Sequence, residues 1–256
     1  MTSNHSKISA LLITYNEINH IEDVIANVRF CDEIIVIDSY SNDGTYEKLN
    51  EYNDVKVIQH KFKNFADQRN FAMNQVNHNW ILFIDADERI TPQLQKEILE
   101  KVSSNTQSVA FKFKRQFIIQ GKRIKYSGFQ TDTIFRLFKK GTTKYREDRL
   151  VHELPIIDGE TELLNHKMLH YSFNDYESYR KKVEHYGKLK ALELHKKGTQ
   201  PNAFKFYSKF LYKFIFNFIF RLGFLDGIAG YNICKLNALG IIYRYRELKR
   251  LSVTPK

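Results

Sequence analysis

The chain has 256 residues, of which 43% are hydrophobic, so it can bury a sizeable core and is unlike a disordered segment. Its charge is uneven: residues 1–100 carry a net charge of −7, residues 101–200 one of +10, and residues 201–256 one of +8. The basic second half indicates an anionic partner, and because no nucleic-acid-binding motif is present we expect a phosphorylated substrate or anionic lipid rather than nucleic acid.

The two cysteines, Cys31 and Cys234, are far apart and lack the spacing of a metal site. We therefore expect reduced thiols and a cytoplasmic protein. The apolar run from Ile8 to Ile13 is too short for a signal peptide, so no leader is expected.

The first hundred residues alternate between short apolar runs and amphipathic segments. The predicted strands are residues 7–14, 33–38, 55–60 and 80–84, and the predicted helices are residues 17–30, 46–52, 66–76 and 92–102. This alternation predicts right-handed βαβ units and an α/β fold with a mostly parallel sheet.

Polar residues follow three of these strands, and they are Thr14-Tyr15-Asn16-Glu17, Asp38, and Asp85-Ala86-Asp87. Because the carboxyl ends of parallel strands meet at one edge of a sheet, we expect a ligand site there. Neither a G-x-G-x-x-G nor a Walker-type loop is present, which argues against a dinucleotide dehydrogenase and a P-loop NTPase. A nucleotide diphosphate would therefore need a metal ion and basic side chains.

Asp85 and Asp87 are candidates for that metal site. Two carboxylates so close together raise each other's pKa, and a Mg²⁺ or Mn²⁺ ion relieves the repulsion. The alternative is an acidic turn that leads into the helix starting near Pro92. We expect Glu88 to be such a helix-leading residue rather than a third metal ligand.

From residue 108 the pattern changes to partial alternation over residues 109–119, a turn at Gly121-Lys122 and a strand at residues 134–138. This predicts an antiparallel addition to the sheet that carries the acceptor side. A long polar helix over residues 175–197 and a linker at residues 198–202 follow. We predict a domain of residues 1–200, with a nucleotide-binding half of about 1–105 and an acceptor half of about 106–200, and a helical extension of residues 201–256.

The extension is predicted to be amphipathic. Lys205, Lys209 and Lys213 share one helix face, and an aromatic stripe lies beside them, formed by Phe206, Phe210, Phe214 and Phe218. This pattern predicts that residues 203–224 lie on an anionic membrane surface. The alternative is that the helix packs on the catalytic domain or on a second subunit of a homodimer.

Taken together, these motifs resemble the family-two inverting glycosyltransferases of GT-A fold, most of all the bacterial lipopolysaccharide-core glucosyltransferase branch. The resemblance covers essentially the whole chain. The residues that carry it are Ile13-Thr14-Tyr15-Asn16-Glu17, Asp38 to Thr45, Phe65 to Asn70, Asp85-Ala86-Asp87-Glu88, Val151-His152-Glu153 and Gly223 to Gly227. The stretch at Asp38 departs from the paired-Asp form that is commoner in the family, so the base contact rests on Asp38 alone.

The resemblance implies a nucleotide-sugar donor such as UDP-glucose, a Mn²⁺ or Mg²⁺ ion, and a sugar acceptor of a lipopolysaccharide core or other cell-surface glycan. From the basic and aromatic extension we also expect a peripheral protein on the inner face of the cytoplasmic membrane. The nucleotide-sugar residues that the resemblance implies are Thr14, Tyr15, Asn16, Glu17, Asp38, Arg69, Asp85 and Ala86, with Asp38 on the base and Asp85 on the ribose or in the metal shell. Asp87 is the implied metal ligand, and His170 is a further ligand or else satisfies a local hydrogen bond.

Inverting transfer needs a base on the acceptor hydroxyl. We predict Glu153, with Asp148 as the competing candidate, although Glu153 could instead form an ion pair with His152 or Arg149. Arg69 could likewise be a surface ion-pair partner. The rival functions are a nucleotidyltransferase of similar sheet topology and a catalytically inactive membrane-associated scaffold.

Overall fold

The computed structural model describes residues 6–146, 155–173 and 175–253. The strands are β1 (Ile8–Thr14), β2 (Glu33–Asp38), β3 (Val55–Gln59), β4 (Trp80–Phe83), β5 (Glu88–Arg89), β6 (Ser108–Ile119), β7 (Lys122–Ile124), β8 (Thr133–Lys139), β9 (Thr143–Tyr145), β10 (Pro155–Ile157) and β11 (Glu160–Phe173). The helices are α1 (Ile18–Val28), α2 (Thr45–Leu49), α3 (Phe65–Met73), α4 (Pro92–Ser103), α5 (Tyr176–Lys196), α6 (Ala203–Ile215) and α7 (Gly227–Val253).

Nine of these strands form one mixed sheet. Its order is β3-β2-β1-β4-β8-β6-β11-β5, with β7 paired to β6. The first four are parallel neighbours, and β8 runs antiparallel to both β4 and β6. This confirms the predicted α/β fold class and the antiparallel addition in the second half of the chain.

The chain divides into two compact units. One contains residues 1–115 and 133–170, and the other contains residues 116–132 and 171–256. The boundary predicted at residue 200 therefore falls inside the second unit, which includes the long helix α5 as well as the tail.

In the first unit, helices cover a sheet whose inner strands are buried on both faces. β1 and β2 are almost completely inaccessible, as expected for parallel strands between helical layers. α1 buries Ile21, Val24, Ile25 and Val28, which recur at helical spacing and pack with β1 and β2 in one core. The register places Thr14 directly opposite Asp38, so the polar strand ends meet at one edge.

In the second unit, α5 and α6 both pack on α7. The aromatic stripe predicted to face a membrane belongs to this packing: Phe206 is only 6% exposed and its ring lies 5.3 Å from that of Tyr245, while Phe214 and Phe218 both contact Tyr231 edge-on. The prediction that this stripe is the interfacial face is therefore wrong. Packing on α7 removes the aromatic surface of this stripe from water, which favours this orientation of α6.

The chain bends sharply between α6 and α7. A π-helical turn at Phe216–Phe220 ends α6, Leu222 adopts a left-handed backbone with φ of 55°, and a 3₁₀ turn at Gly223–Asp226 leads into α7. Gly230 makes the bend possible, because a Cβ at that position would lie 1.9 Å from the carbonyl oxygen of Gly223.

Asp226 ties this bend to the loop after β7. Its carboxylate accepts hydrogen bonds from the backbone N–H groups of Lys125 and Tyr126 and from the Ser127 hydroxyl, at 2.8–3.0 Å. Within the described residues, no single helix has the length and apolar content needed to cross a bilayer. The two arms of the bend, Ala203–Phe220 and Gly223–Val253, meet those criteria only together, at an angle of 71°.

Candidate active site

The loops after β1 and β2 lock together by reciprocal hydrogen bonds. The Asn16 N–H donates to the Ser41 hydroxyl, while the Asn42 N–H donates to the Asn16 side chain, both at 2.9 Å. The Glu17 N–H donates to the Thr45 hydroxyl at 2.8 Å. Three of the predicted site residues, Thr14, Asn16 and Glu17, thus belong to a rigid strand-end platform.

Asp38 lies inside that platform. Its side chain is fully buried, and its two carboxylate oxygens accept hydrogen bonds from the Ser41 N–H, the Ser41 hydroxyl and the Thr14 hydroxyl. In this arrangement Asp38 orders the loop that would meet a base. Its direct contact with the base stays a prediction.

Two tyrosines project from the platform into solvent. Tyr15 is 59% exposed and Tyr40 is 56% exposed, although each directly follows or nearly follows a buried strand. Tyr40 has a φ of 60° and Asn16 one of 57°, so both loops hold strained backbone beside these rings. Tyr40 was not among the predicted site residues, and only its position after Asp38 could have indicated it.

Asp85 is held by two arginines. Arg69 on α3 donates to one carboxylate oxygen at 3.1 Å, and Arg136 on β8 donates to the other. Burial favours the neutral form of Asp85, but the positive charges of Arg136 and Arg69 outweigh it and hold the pKa of Asp85 below its ordinary value. Asp85 is therefore an anion with a fixed orientation.

Arg69 lies in the site rather than on the surface. It is 8% exposed, and its guanidinium lies over the rings of Phe83 and Tyr145 at 5.1 and 5.6 Å. The alternative of a surface ion pair is wrong for this residue. Its Nη1 atom is buried and has no hydrogen-bond partner among the described residues, so it is a candidate donor to a bound anion.

Glu88 does not lead into a helix, and that prediction is wrong. It is completely buried in the two-residue strand β5 and accepts a hydrogen bond from Arg136 at 2.7 Å, while the helix begins later, with Thr91 capping α4. Burial raises the pKa of the Glu88 carboxyl, and the neighbouring Asp85 charge raises it further against the opposing effect of Arg136. Glu88 is thus a second, buried carboxylate that is bound to the same arginine as Asp85.

Arg136 is the residue that sequence reasoning missed. It is 1% exposed and bridges Asp85 and Glu88. The available signal was a single cation within the apolar strand of residues 134–138, because a cation there is buried only when it is paired.

Asp87 and His170 meet although 83 residues separate them. β5 pairs with β11 so that His170 lies opposite Glu88, and this register brings His170 Nε2 to 3.1 Å from the Asp87 carboxylate. The His170 side chain is 10% exposed and that of Asp87 is 26% exposed, so the pair faces a partly solvated opening.

A carboxylate oxygen and an imidazole nitrogen at this separation suit Mn²⁺, which accepts both ligand types. Asp85 is engaged by its two arginines, so Asp87 is the carboxylate that remains for a cation. A group of three or more potential ligands is absent from the described residues, and the other coordination positions would fall to the donor or to water.

The two candidate bases, Glu153 and Asp148, lie outside the described residues. Ala86, predicted to bind the nucleotide-sugar, is 4% exposed, and its carbonyl oxygen accepts a hydrogen bond from Arg89 at 2.6 Å. Its backbone therefore helps fix the Asp85–Asp87 turn.

An α/β sheet of this order, with an acidic turn at the end of β4, has the architecture of the GT-A fold. Comparison with known families agrees: residues 9–173 match the model of glycosyl transferase family 2. The chain belongs to glycosyl transferase family 2 and is a glycosyltransferase.

Relatives align with nearly the whole chain. The protein is 25% identical to the lipopolysaccharide core biosynthesis glycosyltransferase LpsC of Rhizobium meliloti, and the alignment covers 96% of both chains. It is 27% identical to an uncharacterised glycosyltransferase of Rickettsia conorii, covering 98% of this chain and 92% of the relative.

Two solved structures share the fold at low sequence identity. The mannosyltransferase PcManGT of Pyrobaculum calidifontis, in complex with GDP-Man and Mn²⁺, has a TM-score of 0.51 and 14% identity, over 93% of this chain and 74% of that one. Residues 1–349 of S. aureus TarS, in complex with UDP, give a TM-score of 0.50 and 14% identity, over 96% and 90%. These likenesses establish the GT-A fold.

Proposed function

We propose that this glycosyltransferase transfers a hexose, with inversion, from a UDP-sugar such as UDP-glucose to a sugar of a lipopolysaccharide core or another cell-surface glycan. The observation that carries the proposal is the Asp87–His170 pair at 3.1 Å beside an Asp85 fixed by two arginines. The relation to LpsC over the full chain supports the acceptor class.

The donor would lie on the platform formed by Thr14 to Glu17 and Ser39 to Thr45. Tyr15 and Tyr40 offer exposed ring faces for a base, and the buried Asp38 holds their loop in place. Arg69 would donate a hydrogen bond from Nη1 to the diphosphate, because its Nη2 atom already donates to Asp85.

Asp87 and His170 would hold a Mn²⁺ or Mg²⁺ ion. When bound, such an ion neutralises charge that develops on the departing diphosphate. The Arg69 and Arg136 contacts keep Asp85 ionised and oriented, so the negative charge on this turn is set before the donor arrives.

Glu153 would take the proton of the acceptor hydroxyl as that oxygen attacks the anomeric carbon and UDP leaves. The replacement Glu153→Gln keeps the size of the side chain but removes the base. We expect loss of sugar transfer with donor hydrolysis retained. Transfer near the wild-type rate would exclude Glu153 and direct the same test to Asp148→Asn.

The direct test is a screen of UDP-sugars and GDP-mannose that measures release of the nucleoside diphosphate with and without Mn²⁺. We expect release from a UDP-hexose that depends on Mn²⁺ and increases when a lipopolysaccharide-core oligosaccharide is added. Release from GDP-mannose alone would refute the proposed donor. An absence of release from every donor would support an inactive scaffold.

A further inference from the structure

The second unit exposes an apolar surface that the sequence pattern did not identify. Among the described residues, 22 large hydrophobic side chains are exposed, and 11 of them lie between Phe204 and Tyr231. Half of the exposed apolar side chains thus fall in a segment of 28 residues. Such a concentration marks an interaction surface.

This surface has two parts. On α6 it consists of the face opposite the buried Phe206, with Phe204, Tyr207, Leu211 and Tyr212 at 54–85% exposure. At the bend it consists of Ile219, Phe220, Leu222, Phe224, Leu225 and Ile228, which are 42–82% exposed. We call the two parts together the aromatic elbow.

The backbone conformation of the bend explains why its apolar side chains are exposed. The π-helical turn shifts Ile219 and Phe220 out of the α6 register, and Gly223 and Gly230 let the backbones of the two arms approach closely. Asp226 fastens the bend through three hydrogen bonds. These hydrogen bonds hold the bend in the conformation that exposes its apolar side chains.

Charge identifies the occupant. Residues 203–225 contain Lys205, Lys209, Lys213 and Arg221 and no acidic residue, and the Asp226 carboxylate is occupied by hydrogen bonds from the loop after β7. Lys205, Lys209 and Tyr212 are all exposed on α6. An apolar face on a segment whose only charged side chains are cations complements an anionic surface and would repel a second copy of itself.

We propose that the aromatic elbow docks on an anionic lipid bilayer, with the bend side chains in the headgroup region and Lys205 and Lys209 on the lipid phosphates. The sequence predicted that the Phe206 stripe would face the membrane, but that stripe is packed on α7. The proposal concerns the second unit alone and holds whichever sugar the enzyme transfers. Docking on the inner face of the cytoplasmic membrane would bring the enzyme to lipid-linked acceptors.

The test is co-sedimentation of the full chain with vesicles of phosphatidylcholine and phosphatidylglycerol, against vesicles of phosphatidylcholine alone. We expect binding to the anionic vesicles that weakens as salt rises. Lys205→Glu with Lys209→Glu should weaken it about thirty-fold or more, at about five-fold for each basic residue near the surface. Lys181→Glu with Lys182→Glu, on exposed positions of α5, is the charge-matched control and should leave binding unchanged.

The apolar part is tested by Phe220→Ser with Leu225→Ser and Ile228→Ser, three exposed positions whose replacement spares the core. Binding should fall at least ten-fold, while Ile156→Ser with Leu163→Ser, exposed in the first unit, should have no effect. Lys213 is left unaltered because it is half-buried beside Arg244. An unchanged thermal midpoint in each variant confirms that the fold is intact.

Three outcomes would overturn the proposal. They are equal binding to neutral and anionic vesicles, loss of binding in the control variants, and a wild-type dimer in light scattering that the bend variant converts to a monomer without any vesicle binding. The last outcome would assign the aromatic elbow to a second copy of the chain.

Discussion

Arg136 provides the most demanding test of the site's architecture. We predict that Arg136→Met destabilises the first unit strongly, because the variant keeps most of the side-chain volume but leaves Glu88 and Asp85 without their shared cation. Glu88 is completely buried and Arg136 is 1% exposed, so water cannot replace the lost contact.

The size of the effect follows from that burial. Removing one partner of a buried ion pair costs about 3–5 kcal/mol, a large part of the roughly 5–15 kcal/mol that stabilises a typical domain. With a urea dependence of about 3 kcal/mol per molar, the midpoint should fall by about 1–2 M. By contrast Arg29→Met, which breaks the exposed pair with Asp54 at 3.2 Å, should cost about 1 kcal/mol or less.

The assay uses urea unfolding followed by the fluorescence of Trp80. This is the single tryptophan of the chain, and it lies buried in β4 of the same unit as Arg136. Adding Glu88→Gln to Arg136→Met should recover part of the loss, because the second change removes the buried charge.

An Arg136→Met variant as stable as Arg29→Met would refute the reasoning, since it would mean that the two carboxylates find other partners or bind protons at little cost. Stability unchanged by the added Glu88→Gln would show that the loss comes from side-chain packing and not from the buried charge.

The remaining predictions concern stability elsewhere in the chain. Burial favours the neutral form of Glu97, but hydrogen bonds from the Asn165 and His166 N–H groups and from the His166 ring outweigh this effect and lower the pKa of Glu97. The ionised carboxylate therefore stabilises the folded state at neutral pH, and this stabilisation is lost on acidification. Glu97→Gln should therefore be less stable than the wild type at pH 7, with the difference in urea midpoint shrinking below about pH 5; a constant difference would contradict the assignment. Gly230→Ala should cost about 1–3 kcal/mol or more in circular-dichroism melts, because its Cβ meets the Gly223 carbonyl, whereas Lys235→Ala on the exposed side of α7 should be neutral.

The sequence was sufficient for features that depend on order along the chain. Apolar periodicity located the strands and helices of the first hundred residues to within a few positions, and the rule that parallel strands end at one edge placed Thr14 opposite Asp38. The same rule pointed to the turn at Asp85 and Asp87.

Features that depend on pairing between distant segments were less accessible. The contact of His170 with Asp87 requires the register of β5 on β11, and the burial of Glu88 requires Arg136 from β8. Neither contact can be predicted from the local sequence pattern, because the partner residues lie more than 45 positions away along the chain. His170 was reached through the family resemblance, and Arg136 was missed.

The orientation of α6 shows a different limit. Its aromatic stripe at Phe206 and the opposite row at Phe204 and Leu211 are both apolar, so periodicity alone cannot say which row faces α7. Packing against Tyr231 and Tyr245 decides it, and those residues belong to another helix.

The central claim is that Asp87, with His170, binds a divalent cation that serves a nucleotide-sugar donor. Calorimetry with UDP, with and without Mn²⁺, tests it on the wild type, on Asp87→Ala and on Asp54→Ala, a surface carboxylate that is 53% exposed. We predict that Mn²⁺ strengthens UDP binding to the wild type and to Asp54→Ala and has no effect on Asp87→Ala. An Asp87→Ala variant that binds UDP with the full dependence on Mn²⁺ would contradict the claim.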